Sequence, residues 1–242
     1  MDTRQLERTL QGWEQKQLPF ATARALTLLA TQHIKPAMRA SMDRFFDEPT
    51  PYTLNSLSVT PATKARLYSV VEFKSTASKG TAPSIFLHPQ VTGGSRVQKR
   101  SEQALQRAGV MPRGMLWVPG EGAKLNRYGN IQPSLLTQIL SATRAFGEVG
   151  YLANRTTRSK ARNKKALDIF VGRPGGGSLP LGVYARTRFG VKPLLLFIAK
   201  AQYKARLPFV RIATDVYESD FAAVFDKCLR DALVLQPFLA AA

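Results

Sequence analysis

Apolar residues recur at helical spacing near both ends of this chain and alternate along its middle. That change of period limits the fold more than any other feature. After Leu18-Pro19, the residues Phe20, Ala23, Leu26, Leu29, Ile34, Met38, Met42 and Phe45 follow one another at three- to five-residue steps. The spacing predicts a long amphipathic helix over 20–46, kinked or briefly broken by Pro36 and ended by Asp47-Glu48-Pro49-Thr50-Pro51. Near the other end Val216, Tyr217, Phe221, Val224, Phe225, Cys228, Leu229 and Ala232 predict a second amphipathic helix over 213–235. Pro237 closes it, and the residues after it read as a loose or partner-bound tail.

Between these helices the pattern is mixed. Leu57 and Val59, then Ala65, Leu67, Ser69, Val71 and Phe73, alternate with polar neighbours, so 65–74 is expected to be a strand. Residues 75–84 have loop composition, and 85–88 read as a short strand. A helix is expected over 95–108, with Val97, Ser101, Ala104, Leu105 and Ala108 as its apolar face and Gly109 as its stop. A short strand over 115–120 and an irregular loop over 121–131 follow, and Pro133 opens a helix reaching Phe146. Runs at 167–173, 179–186 and 192–200 complete an antiparallel set, with the glycines Gly175, Gly176 and Gly177 at a hairpin tip. No period of about 20–50 residues repeats, which removes solenoids and propellers. The expected fold is therefore α+β: a long N-terminal helix, an antiparallel sheet with a helical and basic insertion, and a C-terminal amphipathic helix. We take residues 1–242 as a single domain, with 75–150 as an insertion and 154–165 as a basic loop.

The residues needed for the common catalytic chemistries do not group together. The two histidines, His33 and His88, sit on different elements without a carboxylate near them in sequence, and one cysteine, Cys228, excludes a thiolate cluster and an intramolecular disulfide. Cys228 reads as a buried thiol on a helix. A nucleophile elbow is absent, and the triple glycine runs into Ser178-Leu179-Pro180 rather than a Gly-Lys-Ser/Thr turn opening a helix. Glu72, Glu102, Glu121, Glu148 and Asp168 are the acids of the middle segment, and nothing marks two of them as a general-acid pair. Glu72 is expected to point into solvent. No enzyme activity, metal or other cofactor is expected.

Charge is the compositional fact that the argument needs. The chain carries +19, and residues 61–210 hold 25 of its 35 Lys and Arg but five of its 16 Asp and Glu. Such a body calls for a countercharge: nucleic acid, an acidic protein surface or anionic lipid. Its densest run is Arg155, Arg158, Lys160, Arg162, Lys164 and Lys165, a candidate contact for DNA or an acidic partner, or else a solvated loop. Aromatic residues do not interleave with it, which argues against single-strand binding there. Arg96, Lys99, Arg100 and Arg107 read as a solvated helix face. The longest apolar stretch, Pro193 to Ala199, is too short to span a bilayer, and the first residues carry no signal-like apolar run. A soluble protein made in the cytoplasm is expected.

Two tracts carry a resemblance. QLPFATARALTLLA resembles the start of bacteriophage minor tail proteins of the lambda Z type, and GVYARTRFGVKPLLLFIAKAQYKARLPF with its closing helix is similar to their distal part. PTPYTLNSL and HPQVTGGSRVQKRSEQAL resemble phage morphogenesis proteins. The resemblance implies a non-enzymatic virion protein of the neck or tail, acting in tail completion or head–tail joining as a ring or collar. It also implies homo-oligomers, virion partners (portal, adaptor, terminator or tail tube), non-specific DNA contact, no membrane, and a place in the virion. It carries no catalytic residues over. The alternative reading is a basic DNA-binding protein associated with the packaged phage genome.

Overall fold

The computed structural model describes residues 13–78, 80–146, 156–157 and 167–234. In chain order the elements are a π-helical turn Trp13–Gln17, α1 (Leu18–Leu28), a second π turn (Leu29–Ile34) and α2 (Lys35–Phe45). Then come α3 (Pro51–Leu54), β1 (Leu57–Thr60), β2 (Val70–Phe73), α4 (Pro83–Thr92), β3 (Gly94–Ser95), α5 (Arg100–Arg107), β4 (Leu116–Pro119) and α6 (Pro133–Ala142). β5 (Asp168–Gly172), β6 (Gly182–Thr187), β7 (Gly190–Ile198), β8 (Gln202–Tyr203) and α7 (Phe209–Val234) complete the chain. The fold is α+β, as expected. It divides into two compact units, Met1–Gly93 with Lys204–Ala242, and Gly94–Tyr203.

The first unit is mainly helical. Pro36 does not end the long helix: Leu28, Ile34 and Lys35 all keep right-handed helical angles, and the Lys35 N–H donates to Ala30 O, five residues back. This wider turn accommodates a residue that has no N–H and whose ring crowds the preceding turn. α1 and the π turn after it pack on α7, with Ala21 and Ala25 of α1 and Cys228 of α7 fully buried and Ala30 of the turn and Ala232 nearly so. A second cluster joins Met38 and Met42 to Leu57, Leu87 and Leu207, with Phe45, Phe73 and Phe209 packed around them. β1 and β2 pair antiparallel, Leu57 opposite Phe73. Only the end of the expected 65–74 strand is β, because Thr63 and Arg66 close a tight turn through reciprocal backbone hydrogen bonds. Glu72 is exposed on β2, as expected, between the half-buried Val71 and Phe73.

Residues 85–88 are a correction. They lie inside α4, which Pro83 opens after an extended Ala82 and which Gly93 (φ 75°) stops. A four-residue apolar run fits either period, and here Leu87 and Val91 meet the core one helical turn apart.

The second unit is a four-stranded antiparallel sheet in the order β4-β7-β6-β5, backed by α5 and α6. Trp117, Val183, Ala185, Leu195 and Phe197 face Leu105, Leu135 and Ile139 of those helices. The expected strand set stands, and the triple glycine lies in the β5–β6 connection with φ of 69°, 66° and 93°. Three boundaries move. α5 begins at Arg100, so Val97 is 62% exposed instead of lining an apolar face. α6 stops at Ala142, where Arg144 turns to φ 55° and Ala145 N–H reaches back to Leu140 O. The loop 121–131 is not wholly irregular: it contains a small hairpin, with Leu125 bridged to Ile131. Asn126 Oδ1 accepts the Tyr128 and Asn130 N–H groups and so fixes its turn.

Gly182 shows how closely β6 and β7 approach. A Cβ there would lie 2.3 Å from the Leu195 carbonyl oxygen, a backbone atom that cannot swing aside. Gly182→Ala is expected to lower stability by about 1–3 kcal/mol, an ordinary cost of overpacking. A urea unfolding midpoint equal to that of the parent would show that the strands part without penalty.

Candidate functional site

The charge follows the fold. Residues 94–203 contain 19 of the 35 basic and four of the 16 acidic residues, a net +15, which leaves +4 for the rest of the chain. The second unit is therefore the candidate contact surface for a polyanion. The predicted contacts Arg155, Arg158, Lys160, Arg162, Lys164 and Lys165 lie outside the described residues. In sequence they precede β5.

Within the described residues the basic side chains do two different things. Arg96 departs from the expected solvated face, its side chain 11% exposed, whereas Lys99, Arg100 and Arg107 are exposed. Glu102 is fully buried, and its carboxylate accepts four hydrogen bonds. Arg96 Nη1 and Nη2 donate at 2.8 and 2.5 Å, the Lys99 N–H at 2.6 Å and the Trp117 N–H at 2.9 Å. Arg96 Nη2 also donates to Trp117 O. Trp117 sits on β4, a strand at the sheet edge, so this ion pair stands where a further strand would stand and satisfies the backbone groups left over there. The Lys99 ammonium lies 4.0 Å from the centre of the Trp117 ring, where desolvation and the neighbouring Arg96 lower its pKa. Burial would raise the Glu102 pKa, but the hydrogen bonds from Arg96, Trp117 and Lys99 outweigh it and leave the carboxyl below its ordinary range. This cluster is structural: its atoms are committed to one another.

The remaining basic residues gather with aromatic ones at one end of the sheet. Register puts Asp168 opposite Arg186, and Thr187 and Gly190 flank the β6–β7 turn, so the start of β5 and that hairpin share an end. After β4, Gly122 N–H donates to Pro193 O, so the chain runs beside β7 toward the same end before forming the Lys124–Gln132 hairpin. Three guanidinium–ring pairs occur in these segments: Arg188 over Phe189 at 4.4 Å, Arg127 over Tyr128 at 4.6 Å and Arg186 over Phe170 at 4.9 Å. Lys124 and Lys192 are exposed beside them. Glu121 and Asp168 are the acids here among the described residues. Sequence reasoning misses this grouping because it seeks aromatic residues within the basic run, whereas strand pairing collects them from segments far apart. The one local signal is Arg188-Phe189-Gly190 between two alternating runs.

Elsewhere the described residues offer little chemistry. His33 does acquire a carboxylate, which its sequence neighbourhood lacks: its Nδ1 lies 2.7 Å from Asp220 Oδ2 on α7, and Ser219 Oγ donates to Asp220 Oδ1. The serine hydrogen bond and then His33 hold the Asp220 pKa below the ordinary carboxylate range. Ser219 addresses the carboxylate rather than the imidazole, so the trio lacks the order of a nucleophilic triad. A recess of about 500 Å³ in the helical unit is lined by Thr31, Lys35, Arg39, Asn55 and Lys74 among others, but Arg39 and Lys74 both already bond Asn55. No group of three or more His, Cys, Asp or Glu side chains placed to hold a metal ion occurs among the described residues. No helix among them is long and apolar enough to cross a membrane. Comparison with models of protein families, with characterised proteins and with solved structures finds no match for the chain.

Proposed function

We propose that the chain is a non-enzymatic structural protein of a bacteriophage particle, working in the neck or tail as part of a ring or collar. The observation that carries the reading is the partition of charge: +15 on the unit 94–203 and +4 on the remainder. The near-neutral unit is free to bury area against neighbouring subunits, while the basic unit needs countercharge from a neighbour or from the genome. α7 adds a stripe suited to contact, with Tyr217, Phe221 and Phe225 stacked in succession at 4.8 and 5.7 Å and Tyr217 44% exposed. The two tracts that resemble lambda Z-type minor tail proteins support the same place in the particle, with portal, adaptor, terminator or tail tube as neighbours.

The second reading, a basic protein bound to the packaged genome, draws on the same +15 unit. Size-exclusion chromatography with light scattering, at low and high salt and with and without duplex DNA, separates the two. A discrete multimer that ignores duplex DNA is the expected result. A monomer that shifts onto duplex DNA only at low salt would replace the first reading with the second, since counterion release makes such binding strongly salt-dependent. A protein that neither self-associates nor binds virion proteins would refute the assembly role.

A further inference from the structure

We infer that the β6–β7 hairpin end of the sheet is a contact surface for single-stranded nucleic acid, with the Phe189 ring as stacking platform and Arg186, Arg188 and Lys192 as phosphate contacts. The inference goes beyond the proposed function: a neck or tail part need not hold nucleic acid, and this surface would hold it outside any particle.

Phe189 is 83% exposed, the most open of the large apolar side chains described. An isolated exposed apolar residue is ordinary, but this one is held in place. The turn is tied by Thr187 Oγ1, which donates to Gly190 O at 2.9 Å and accepts from Phe189 N–H at 3.3 Å. Gly190 takes φ 120°, which relieves the turn of the strain a larger residue would meet there. The Arg188 guanidinium lies over the ring at 4.4 Å. An exposed aromatic ring on a tied turn, with a cation beside it, is the element that single-strand binders present to unpaired bases, and neighbouring cations follow the phosphates. Arg186 and Lys192 supply those cations on the two strands leaving the turn, both exposed. Arg127 and Tyr128 repeat the pairing on the hairpin after β4, its turn fixed by Asn126.

The chemistry favours a single strand over the other polyanions. A duplex keeps its base faces stacked and would engage the cations alone. An acidic protein surface would likewise leave the ring unused.

The test is fluorescence anisotropy of the full chain with labelled oligothymidylate, the corresponding duplex, and poly-glutamate as competitor. Phe189→Ala changes no charge and leaves the basic run 154–165 intact, so it isolates the ring. It should weaken oligothymidylate binding about tenfold while leaving the response to duplex, whether binding or none, and the thermal melt the same as the parent's. Phe189→Trp should restore binding. Neutralising Arg188 and Lys192 should reduce the salt slope for oligothymidylate by about 0.7 for each cation removed. Equal affinity of parent and Phe189→Ala for oligothymidylate would overturn the proposal. So would poly-glutamate displacing the oligonucleotide from both equally well, which would point to an acidic protein instead. Light scattering is expected to read the same for Phe189→Ala and the parent, so failure here is distinct from failure of the assembly reading.

Discussion

Glu102→Ala is expected to cost about 3–5 kcal/mol of stability, the usual penalty for removing one partner of a buried ion pair. The parent carboxylate is fully buried and saturated by Arg96, Lys99 N–H and Trp117 N–H. Its removal leaves Arg96 charged at a site where its side chain is 11% exposed, and strips the Trp117 N–H on the sheet edge of its acceptor. Urea unfolding followed by tryptophan fluorescence measures the loss. A change of less than about 1 kcal/mol, the scale of an exposed pair, would mean that the pair is solvated in practice. The pH dependence has a definite sign. The folded pKa of Glu102 lies below its ordinary value of 4.5, so the carboxylate contributes its full stabilisation above that value. The contribution falls away as the pH drops below 4.5 and through the folded pKa. Glu102→Ala and the parent should therefore converge in stability on acidification, and a constant gap down to the acid limit would contradict the assignment.

Met42→Ala is expected to cost about 2–5 kcal/mol, and Met42→Leu less than about 1.5 kcal/mol. Met42 is fully buried, one helical turn from the equally buried Met38, in the cluster where α2 meets Leu57 of β1, Leu87 of α4 and Leu207. These four segments are far apart in sequence, so a cavity there cannot be refilled by a local shift of one element. The contrast between the two variants separates lost volume from lost methionine flexibility. Thermal melts of both, compared with the parent, decide it. Equal destabilisation by alanine and leucine would show that the site depends on the methionine's shape rather than on the volume it fills.

Much of the fold is legible in the sequence. The α+β class follows from the change of period, and the runs near 167–173, 179–186 and 192–200 correspond to β5, β6 and β7 with boundaries moved by a few residues. Cys228 is a buried helical thiol, as its apolar neighbours imply. The departures have physical causes. Residues 85–88 are too few to distinguish a strand from a turn of helix, and Pro83, which opens the helix, lies outside the run. The periodicity of the long N-terminal helix is carried by large apolar residues, yet its most tightly packed face against α7 is alanine, because small side chains let two helices approach closely.

The candidate site shows the same division. Composition and the position of the basic residues determine, without any structure, that this protein carries a strongly cationic body. Local periodicity determines most of the helices and strands, because it depends on neighbours a few residues apart. Pairings between distant segments are decided only in three dimensions. Glu102 meets Trp117 and Arg96 where α5 packs on the sheet edge, His33 meets Asp220 across 187 residues of chain, and strand register brings Arg186, Arg188 and Phe189 to the end where β5 begins. A charge in sequence says only that it must be solvated or paired. Which of the two occurs depends on what the folded chain places within about 3 Å of it.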